Sequence, residues 1–301
     1  MRMDGAMLWM AASYALLLLG LLLRKKRCLR ILLPAGLSLA LLAGILLHTE
    51  RKYRENDYFS VLDVGQGQCI TAFSGDAAAV IDCGNINNIE DAGTIAGEYL
   101  LGCGRKSVAL LILTHLHADH ADGAVRLMEM LPVDTLVLPA DADDSGGLYA
   151  GILSCAKRHG TRVVAAENNT TASVGGINVR IYKPANDGDE NERCLMLSIQ
   201  NGDTELLVTA DASKKQERAL VRREDVSDTD ILIVGHHGSR YASSRELLEE
   251  TGGGLAVISV GYNTYGHPAK ETLDALKRYG YQIMRTDEDG TVEIRLEREH
   301  G

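Results

Sequence analysis

The sequence contains few cysteines and few prolines for its 301 residues. Six Cys are too few to form a disulfide scaffold, and 5 Pro beside 31 Gly exclude a collagen-like chain or a proline-rich linker. Charged residues make up 24% of the chain and apolar residues 46%, which excludes a disordered polyampholyte. The length suits one large folded domain or two ordinary ones.

Positive charge is also scarce, and it is unevenly distributed. The formal net charge is −10, but residues 1–48 carry six basic side chains and one acid, for a net of +5. The remaining 253 residues must therefore carry −15. Because phosphate affinity comes largely from Lys and Arg, this acidic body is predicted to be a poor non-specific binder of nucleic acid.

Two long uncharged runs lie near the N-terminus, over about residues 6–23 and 31–48. As a helix, each run would span about 27 Å, close to the thickness of a bilayer core. Five positive charges lie between them in residues 24–30, which predicts a cytoplasmic loop under the positive-inside rule. The sequence thus predicts a transmembrane hairpin over 1–48, with two passes through the cell membrane and an extracellular body. A cleaved signal peptide and a buried helical hairpin are the alternatives.

Strands and helices are predicted to alternate in the body, from residue 57 to residue 301, after a polar linker at 49–56. The continuous apolar run Val108–Thr114 is typical of a buried strand. Ser243 with Glu246 predicts a capping box at the start of a helix. The first predicted strands are Tyr58–Val64, Cys69–Ser74 and Ala77–Cys83.

Six of the nine histidines fall into three short stretches, each near the end of a predicted strand or the start of a helix. In the first stretch, His115 and His117 project from one side of an extended chain and can hold one metal ion. Asp119 and His120 begin the next helix and can hold a second. Zinc suits imidazole and carboxylate ligands best, with manganese or iron as alternatives. The other two stretches are His236-His237 and His267.

A site with two metals needs a bridging carboxylate, and Asp211 is the candidate because it follows the apolar strand predicted at Glu205–Thr209. The alternative for Asp211 is a helix N-cap. Asp82 follows the apolar run Ala77–Ile81, and we interpret it as a residue that orients a metal-bound water or a ligand histidine, or else as an ordinary turn residue.

The first histidine stretch resembles the signature of the metallo-β-lactamase-like hydrolase superfamily. Within that superfamily, residues 58 to about 297 resemble the extracellular hydrolase domain of the ComEC family of bacterial DNA-uptake proteins, and related phosphorylcholine esterases. The pieces that carry the resemblance occur in the family's order: Leu62-Asp63-Val64-Gly65-Gln66-Gly67, Ile81-Asp82-Cys83-Gly84, His115-Leu116-His117-Ala118-Asp119-His120, Thr209-Ala210-Asp211-Ala212, His236-His237-Gly238-Ser239 and Tyr265-Gly266-His267-Pro268.

The resemblance implies an α/β fold of the αββα sandwich type, here preceded by two transmembrane helices, with a dinuclear metal site on one edge. It implies ligands for one metal at His115, His117 and Asp211, and for the other at Asp119, His120, Asp211 and His237. The predicted catalytic residues are Asp119, His236 and His267; the two histidines would face the substrate's phosphate. Asp63 and Asp82 are expected to lie outside the ligands and support them.

Three positions depart from the family pattern. Gln68 stands where the family usually has Asp, which removes a carboxylate from near the site. Cys194 stands where Ser is common, and Ala210 replaces the Gly before the bridging Asp. The many membrane helices that form the ComEC channel are also missing from this sequence.

The leading hypothesis is a membrane-anchored, metal-dependent hydrolase with two divalent ions, acting as a phosphodiesterase. The resemblance implies a phosphodiester substrate, either DNA, a short nucleotide or a choline-phosphate ester, and a separate DNA-uptake channel subunit as a partner. A β-lactamase or a thioesterase is the enzymatic alternative, although only His159 matches their usual third histidine motif. A non-catalytic accessory protein of DNA uptake is the other alternative, and Gln68 favours it.

Five cysteines of the body would lie on the extracellular side, an odd number that leaves at least one unpaired or intermolecular. The alternative is that all five are small buried apolar residues. They are Cys69, Cys83, Cys103, Cys155 and Cys194.

Overall fold

Two packed helices begin the computed structural model, which describes residues 3–22, 27–86, 90–142, 147–184 and 191–296. Helix α1 covers Met3–Leu22, and α2 covers Arg27–Glu55. The Trp9 indole donates to the Ser38 carbonyl at 3.0 Å, and the Ser13 and Ser38 hydroxyls lie 2.6 Å apart. The helices therefore run antiparallel, and part of the predicted basic loop at 24–30 lies outside the described residues.

Only part of this helical pair is apolar and long enough to cross a membrane, as far as the described residues show. The stretch Leu32–Glu55 qualifies, with an 18-residue window of mean hydropathy 1.8, whereas the apolar stretch found in α1 is the shorter Trp9–Leu18. Two transmembrane passes thus stay a prediction.

The predicted linker at 49–56 is largely helical, because α2 continues through Glu55 without a break. This segment contains no Gly or Pro, and Arg51 pairs with Glu55 one turn later at 2.6 Å. The side-chain amide of Asn56 donates to the Lys52 carbonyl at 2.8 Å, where the helix ends. Polarity alone does not distinguish a solvent-exposed helical turn from an irregular linker.

The body consists of two seven-stranded sheets. In the first sheet, the strand order is β14-β1-β2-β3-β4-β5-β6; the pairs from β14 to β3 are antiparallel and those from β3 to β6 are parallel. Its strands are β1 (Asp57–Val61), β2 (Gln66–Ser74), β3 (Ala77–Ile86), β4 (Val108–Ile112), β5 (Val133–Pro139), β6 (Arg162–Ala166) and β14 (Val292–Leu296).

The second sheet mirrors this arrangement, with the order β13-β12-β11-β10-β9-β8-β7. Pairs from β7 to β10 are antiparallel and pairs from β10 to β13 are parallel. Its strands are β7 (Thr170–Val174), β8 (Ile177–Tyr182), β9 (Met196–Asn201), β10 (Thr204–Val208), β11 (Ile231–Ile233), β12 (Gly254–Ile258) and β13 (Tyr281–Arg285).

Helices cover the outer faces of both sheets, which gives four layers. On the first sheet they are α3 (Ala92–Gly102), α5 (Ala124–Met130) and α6 (Tyr149–His159); on the second, α7 (Lys214–Val221), α8 (Arg245–Glu250) and α9 (Lys270–Arg278). Single turns form α4 (Ala118–Ala121), a 3-10 helix (Gly235–Gly238) and α10 (Thr286–Asp289).

Three apolar cores hold these layers together. One lies between the sheets, where Ile81 and Ile112 of the first sheet pack with Val208 and Ile233 of the second. The other two lie beneath the helices on either side. This arrangement confirms the predicted α/β class with the αββα layering of a metallo-β-lactamase sandwich.

The sequence interpretation missed one hairpin and placed one helix cap a residue early. The hairpin of β7 and β8 was not predicted, because β7 is a half-exposed edge strand with only two apolar residues, Ala172 and Val174. The cap of α8 is Ser244, whose side chain accepts from the Leu247 amide, whereas Ser243 adopts a left-handed φ of 60°. All five body cysteines are buried free thiols, which confirms the alternative of small apolar residues.

The last turn of α2 is docked on the first sheet at a cluster that we call the docking corner: Tyr53, Tyr99, Arg105 and Glu293. The buried Tyr53 hydroxyl donates to Glu293 Oε1 at 2.8 Å, and Tyr99 Oη lies 2.8 Å from the same oxygen. The guanidinium of Arg105 donates to the Tyr53 and Gly75 carbonyls. The helix and the sandwich are thus joined by buried polar contacts and not by a flexible connection.

Candidate metal centre

The predicted ligands converge at one edge of the sandwich, where strands of both sheets end. His115 follows β4 by three residues, Asp211 follows β10 by three, and His236 follows β11 by three. Asp82 lies within β3 beside them. Because the carboxyl ends of parallel strands open on the same edge, residues distant in sequence meet there.

The first ligand group comprises His115, His117 and Asp211, whose nearest ligand atoms all lie within 4.8 Å of one another. His115 and His117 have ring centroids 4.8 Å apart, and His115 Nε2 lies 4.0 Å from Asp211 Oδ2. These are the three residues expected to bind one metal ion.

The second group comprises Asp119, His120, Asp211 and His237, within the same 4.8 Å limit. His120 Nε2 lies 3.1 Å from Asp211 Oδ1, and His237 Nε2 lies 3.4 Å from Asp119 Oδ2. Asp211 belongs to both groups, with one oxygen nearer each. The cluster therefore fits a dinuclear site with a shared carboxylate.

Two buried nitrogen atoms at the centre support this fit. Nε2 of His115 and Nε2 of His237 have no hydrogen-bond partner among the described residues, although both side chains are only 3% exposed. An unpaired buried polar atom is costly, and a metal ion in each ligand group would satisfy these two nitrogens. Imidazole nitrogens, carboxylate oxygens and water are the usual donors of a zinc or manganese site, and this cluster has one side open to water.

The other ring nitrogen of each buried histidine is engaged, which fixes the orientation of the ring. His120 Nδ1 donates to Asp82 at 2.8 Å, and His237 Nδ1 donates to the Ser259 carbonyl at 2.8 Å. Thr114 Oγ1 lies 3.1 Å from His115 Nδ1 and itself donates to Asp82 at 2.9 Å. In all three rings Nε2 is thereby directed into the cluster.

Asp82 is the hub of these supporting contacts. Its carboxylate also accepts from the Thr114 amide at 2.7 Å and from Gln68 Nε2 at 2.8 Å. Asp82 thus contacts His120 and Thr114 beside the candidate ligands, and its supporting role stays a prediction. The side-chain amide of Gln68 donates to Asp82. A carboxylate at position 68 could make this hydrogen bond only if it shared a proton with Asp82.

The structure does not bring Asp63 into this network. Its side chain is exposed, and its carboxylate accepts from the Gly65 amide at 3.2 Å within the β1–β2 loop. A turn contact thus replaces the expected supporting role, because Asp63 precedes the glycine turn and not a strand end that faces the cluster.

Burial and neighbouring charges shift the pKa values of the residues in this cluster. Burial lowers the pKa of His115 well below its usual value, so this ring stays neutral and its Nε2 lone pair stays available. Burial opposes charge on His120 too, but Asp211 and Asp82 outweigh it and raise the His120 pKa. Burial alone would raise the pKa of Asp211, yet His120 and His237 hold it well below its usual value.

His236 and His267 lie at the mouth of the centre. His236 Nε2 is 3.5 Å from Asp211 Oδ2 with a side chain that is 30% exposed, and its ring centroid is 5.6 Å from that of His267. Burial, reinforced by the His236 ring, lowers the pKa of His267 to about 4. Burial also lowers the pKa of His236, so both rings are neutral at pH 7.

Backbone strain is concentrated at this edge. Six residues other than glycine have a left-handed φ among the described residues, and four of them are Asp82, Ala210, His236 and His237. Such conformations cost energy and are typical of functional sites. Ala210, with φ 46°, takes the conformation for which the family's usual glycine is suited.

Gly84 explains how the histidine stretch reaches the cluster. A Cβ at this position would lie 2.3 Å from the Ala118 carbonyl oxygen and 2.4 Å from the His120 amide nitrogen. Only glycine lets β3 approach α4 this closely.

Sequence reasoning did not find Thr114 and Ser259; Thr114 precedes His115, but no sequence signal marks Ser259.

Comparisons with known proteins agree with the fold of the body. Residues 62–180 match the model of the metallo-beta-lactamase superfamily. The chain is 27% identical to ComE operon protein 3 of Bacillus subtilis (strain 168) over 67% of this chain and 26% of that protein. It is 28% identical to competence protein ComA of Neisseria gonorrhoeae over 89% of this chain and 37% of that protein.

Solved structures support the fold. The metallo-beta-lactamase fold protein YhfI from Bacillus subtilis superposes with a TM-score of 0.54 at 16% identity, covering 79% of this chain and 100% of that chain. The chain spans about a quarter to two fifths of the length of the two curated relatives.

The fold and the histidine cluster agree with the match of residues 62–180 to the metallo-beta-lactamase superfamily, which is the class of domain that this part of the chain resembles. Its curated relatives are, more particularly, ComEC-like competence proteins, as the resemblance implied.

Proposed function

We propose that this chain is a membrane-anchored, metal-dependent phosphodiesterase with a dinuclear centre. The observation that carries the proposal is the pair of ligand groups sharing Asp211, with two buried Nε2 atoms directed between them. When bound, two divalent cations supply a water of lowered pKa and neutralise charge on a phosphoryl oxygen.

The protein residues at the open side have separate tasks in this proposal. Asp119 is the most exposed ligand carboxylate, 21% exposed at its side chain, and it would accept a proton from the attacking water. Neutral His236 and His267 would donate N–H hydrogen bonds to the non-bridging phosphate oxygens. A His267 pKa near 4 favours this binding role over storage of a proton for the leaving oxygen.

The enzymatic alternatives are less well supported by the geometry. The third histidine motif of β-lactamases and thioesterases has only His159 as a counterpart, and His159 is the exposed last residue of α6. Substrates within the phosphodiester class are DNA, a short nucleotide or a choline-phosphate ester. The related competence proteins support a place in DNA uptake beside a separate channel subunit.

Membrane anchoring with an extracellular domain is part of the proposal. Its support is the apolar stretch of α2 and the basic connection after α1. The orientation is tested with Lys277→Cys, an exposed position on α9, in intact cells treated with a membrane-impermeant maleimide. Labelling without lysis supports an extracellular domain, and labelling only after lysis contradicts it.

The activity is tested with the full chain purified in detergent. We expect about two divalent ions per chain by elemental analysis, and hydrolysis of bis(p-nitrophenyl) phosphate that His117→Ala abolishes. A β-lactam and a thioester serve as competing substrates. Turnover of either one without phosphodiester hydrolysis would reassign the enzyme, and fewer than one bound metal per chain would favour a non-catalytic accessory protein.

A further inference from the structure

Exposed aromatic rings are concentrated around the mouth of the metal centre. Beyond the N-terminal hairpin, five large apolar or aromatic side chains are exposed within the described part of the chain. Three of them are tyrosines in the two loops that carry the mouth histidines: Tyr241 at 71%, Tyr262 at 83% and Tyr265 at 59%. The other two, Leu101 and Val163, lie on α3 and β6.

The rings form a path that leads outward from the centre. The His236 ring centroid lies 5.6 Å from that of His267, and the His267 centroid lies 5.9 Å from that of Tyr265. Exposure increases along this path, from a 30% exposed His236 side chain to a 59% exposed Tyr265. A chain-like substrate whose phosphate sits at His236 and His267 would pass Tyr265 with its next unit.

The loop of Tyr262 and Tyr265 is held in place by Asn263. Its side-chain amide donates to the Gly261 and His267 carbonyls at 2.9 and 2.8 Å, and its oxygen accepts from the Tyr265 and His267 amides at 3.1 and 3.0 Å. All the hydrogen-bonding groups of this amide are directed at the loop's own backbone. The position of Tyr265 relative to His267 is therefore fixed before any substrate binds.

The backbone of Tyr241 is fixed in the same way. Its amide donates to Ser239 Oγ at 3.3 Å, and its carbonyl accepts from the Lys214 amide at 2.9 Å. The ring itself stays in solvent. Rigid backbones that present exposed rings need little ordering on binding, and this saves conformational entropy.

We propose that Tyr241, Tyr262 and Tyr265 form a stacking surface for the unpaired bases of a single-stranded nucleic acid. The proposal rests on the phosphodiesterase function above and selects one substrate class from those that it allows. Stacking on aromatic rings is tolerant of sequence and requires bases that are not paired in a duplex.

Charge at the mouth favours this class over a choline-phosphate ester. Aromatic rings also attract quaternary ammonium groups, but the exposed Arg240 adjoins Tyr241 and would repel a cation while attracting a phosphate. Stacking would add affinity for nucleic acid to a body whose net charge of −15 weakens phosphate binding, because every base offers a ring face to an aromatic side chain.

The test uses the full zinc-loaded chain and a fluorescent ten-nucleotide oligothymidylate with phosphorothioate linkages, followed by anisotropy. Removing a stacking ring costs about 1–3 kcal/mol per base, so we expect the double variant Tyr262→Ala/Tyr265→Ala to bind at least about tenfold more weakly. The Tyr262→Phe/Tyr265→Phe variant keeps both rings and should bind as the unmodified chain does. Leu101→Ala controls for the loss of a distant exposed side chain.

An abasic oligonucleotide of the same length separates stacking from phosphate binding. The alanine variants should bind it within about twofold of the unmodified chain, because there is no base to lose. An equal loss for both oligonucleotides, or no loss for either, would overturn the proposal. If the alanine variants instead showed only a raised KM for p-nitrophenyl phosphorylcholine, with oligonucleotide binding unchanged, the rings would be reassigned to choline binding.

Failure of this proposal and failure of the proposed function give different results. If no phosphodiester is hydrolysed but oligothymidylate binding still depends on the rings, the stacking surface stands and the enzyme assignment falls. If small phosphodiesters are hydrolysed while the tyrosines make no difference to oligonucleotide binding, the enzyme assignment stands and the stacking surface falls.

Discussion

Two regions of this molecule bury polar side chains, and they do so in different ways. At the docking corner, the hydroxyls of Tyr53 and Tyr99 share the Glu293 carboxylate, and Arg105 donates to two carbonyls. At the metal centre, Nδ1 of His120 and of His237 is paired, while Nε2 of His115 and of His237 has no hydrogen-bond partner among the described residues. The polar groups of the docking corner pair with one another, whereas some ring nitrogens of the histidine cluster do not pair with protein groups.

The difference separates groups that stabilise the fold from groups that await a ligand. Paired buried groups contribute to folding because their hydrogen bonds replace those made with water. Unpaired groups and left-handed residues such as Ala210 and His236 are a cost that folding alone does not justify. Changes at the centre should therefore affect metal binding and activity, whereas changes at the corner should affect stability.

The largest effect is expected for Asp211→Ala, because this carboxylate belongs to both ligand groups. Metal content should fall from about two ions to fewer than one per chain, and phosphodiester hydrolysis should fall by about a thousandfold or more. Elemental analysis and initial rates measure both. Asp225→Ala is the control, since Asp225 is a fully exposed aspartate whose carboxylate accepts only from Ser227 in the described contacts. Retention of two ions by Asp211→Ala would contradict the shared ligand.

At the docking corner, Arg105→Ala should lower the free energy of unfolding by about 3 kcal/mol, because the carbonyls of the buried Tyr53 and the half-buried Gly75 lose a charged donor. Activity per folded molecule should stay the same. The matched control is Arg54→Ala, which breaks an exposed pair with Asp76 and should cost less than about 1 kcal/mol. Denaturant unfolding in detergent gives both values. If Arg105→Ala reduced activity without reducing stability, the distinction between the two regions would fail.

Gln68→Leu tests the connection between the outer contacts and the centre. Without the amide that donates to Asp82, the support of His120 loosens, and zinc affinity should fall by about 10- to 100-fold. Competition with a fluorescent chelator measures the change. Asp63→Ala, which alters an exposed loop residue, should leave zinc affinity unchanged. If both variants changed zinc affinity equally, the loss of the contact with Asp82 would not be the cause of the change.

The smallest effect concerns pH. The raised pKa of His120 means that the metal-free chain holds a proton there near neutrality, which zinc must displace. His115, with its lowered pKa, has no proton to lose. Zinc affinity should therefore rise with pH, by up to about tenfold per unit while His120 is still protonated in the metal-free chain, and then level off. Zinc titrations at pH 6, 7 and 8 measure this, and an affinity that falls with rising pH would be inconsistent with it.

The grouping of the candidate ligands could largely be predicted from the sequence, because these residues follow strand ends at short spacings. The stretch from His115 to His120 contains four ligands within six residues, and the family resemblance linked it to Asp211 and His237. Local patterns could not show which polar residues reach the ligands from a neighbouring strand. Gln68, Thr114 and Ser259 act through contacts across the sheets, and Asp63 has a family motif around it but points to solvent.

The fold shows the same division between local and distant information. Short apolar runs bounded by turn residues predicted most strands of the two sheets, and the layering followed from the resemblance. The edge hairpin of β7 and β8 escaped because its first strand is half-exposed. The helical end of α2 escaped because its stability comes partly from Tyr53, whose partner Glu293 lies 240 residues away in the sequence.

The continuity of α2 through Glu55 has a mechanical consequence for the proposed anchoring. Seven helical residues beyond the apolar run extend about 10 Å, and the docking corner clamps their end to the sandwich. In that arrangement a short, rigid helical segment would hold the domain at a fixed distance from the membrane. The mouth of the metal centre would then keep a fixed orientation relative to the lipid. Substrate would then be bound at a fixed distance from the membrane surface, so molecules held near that surface would reach the site more often than molecules in bulk solution.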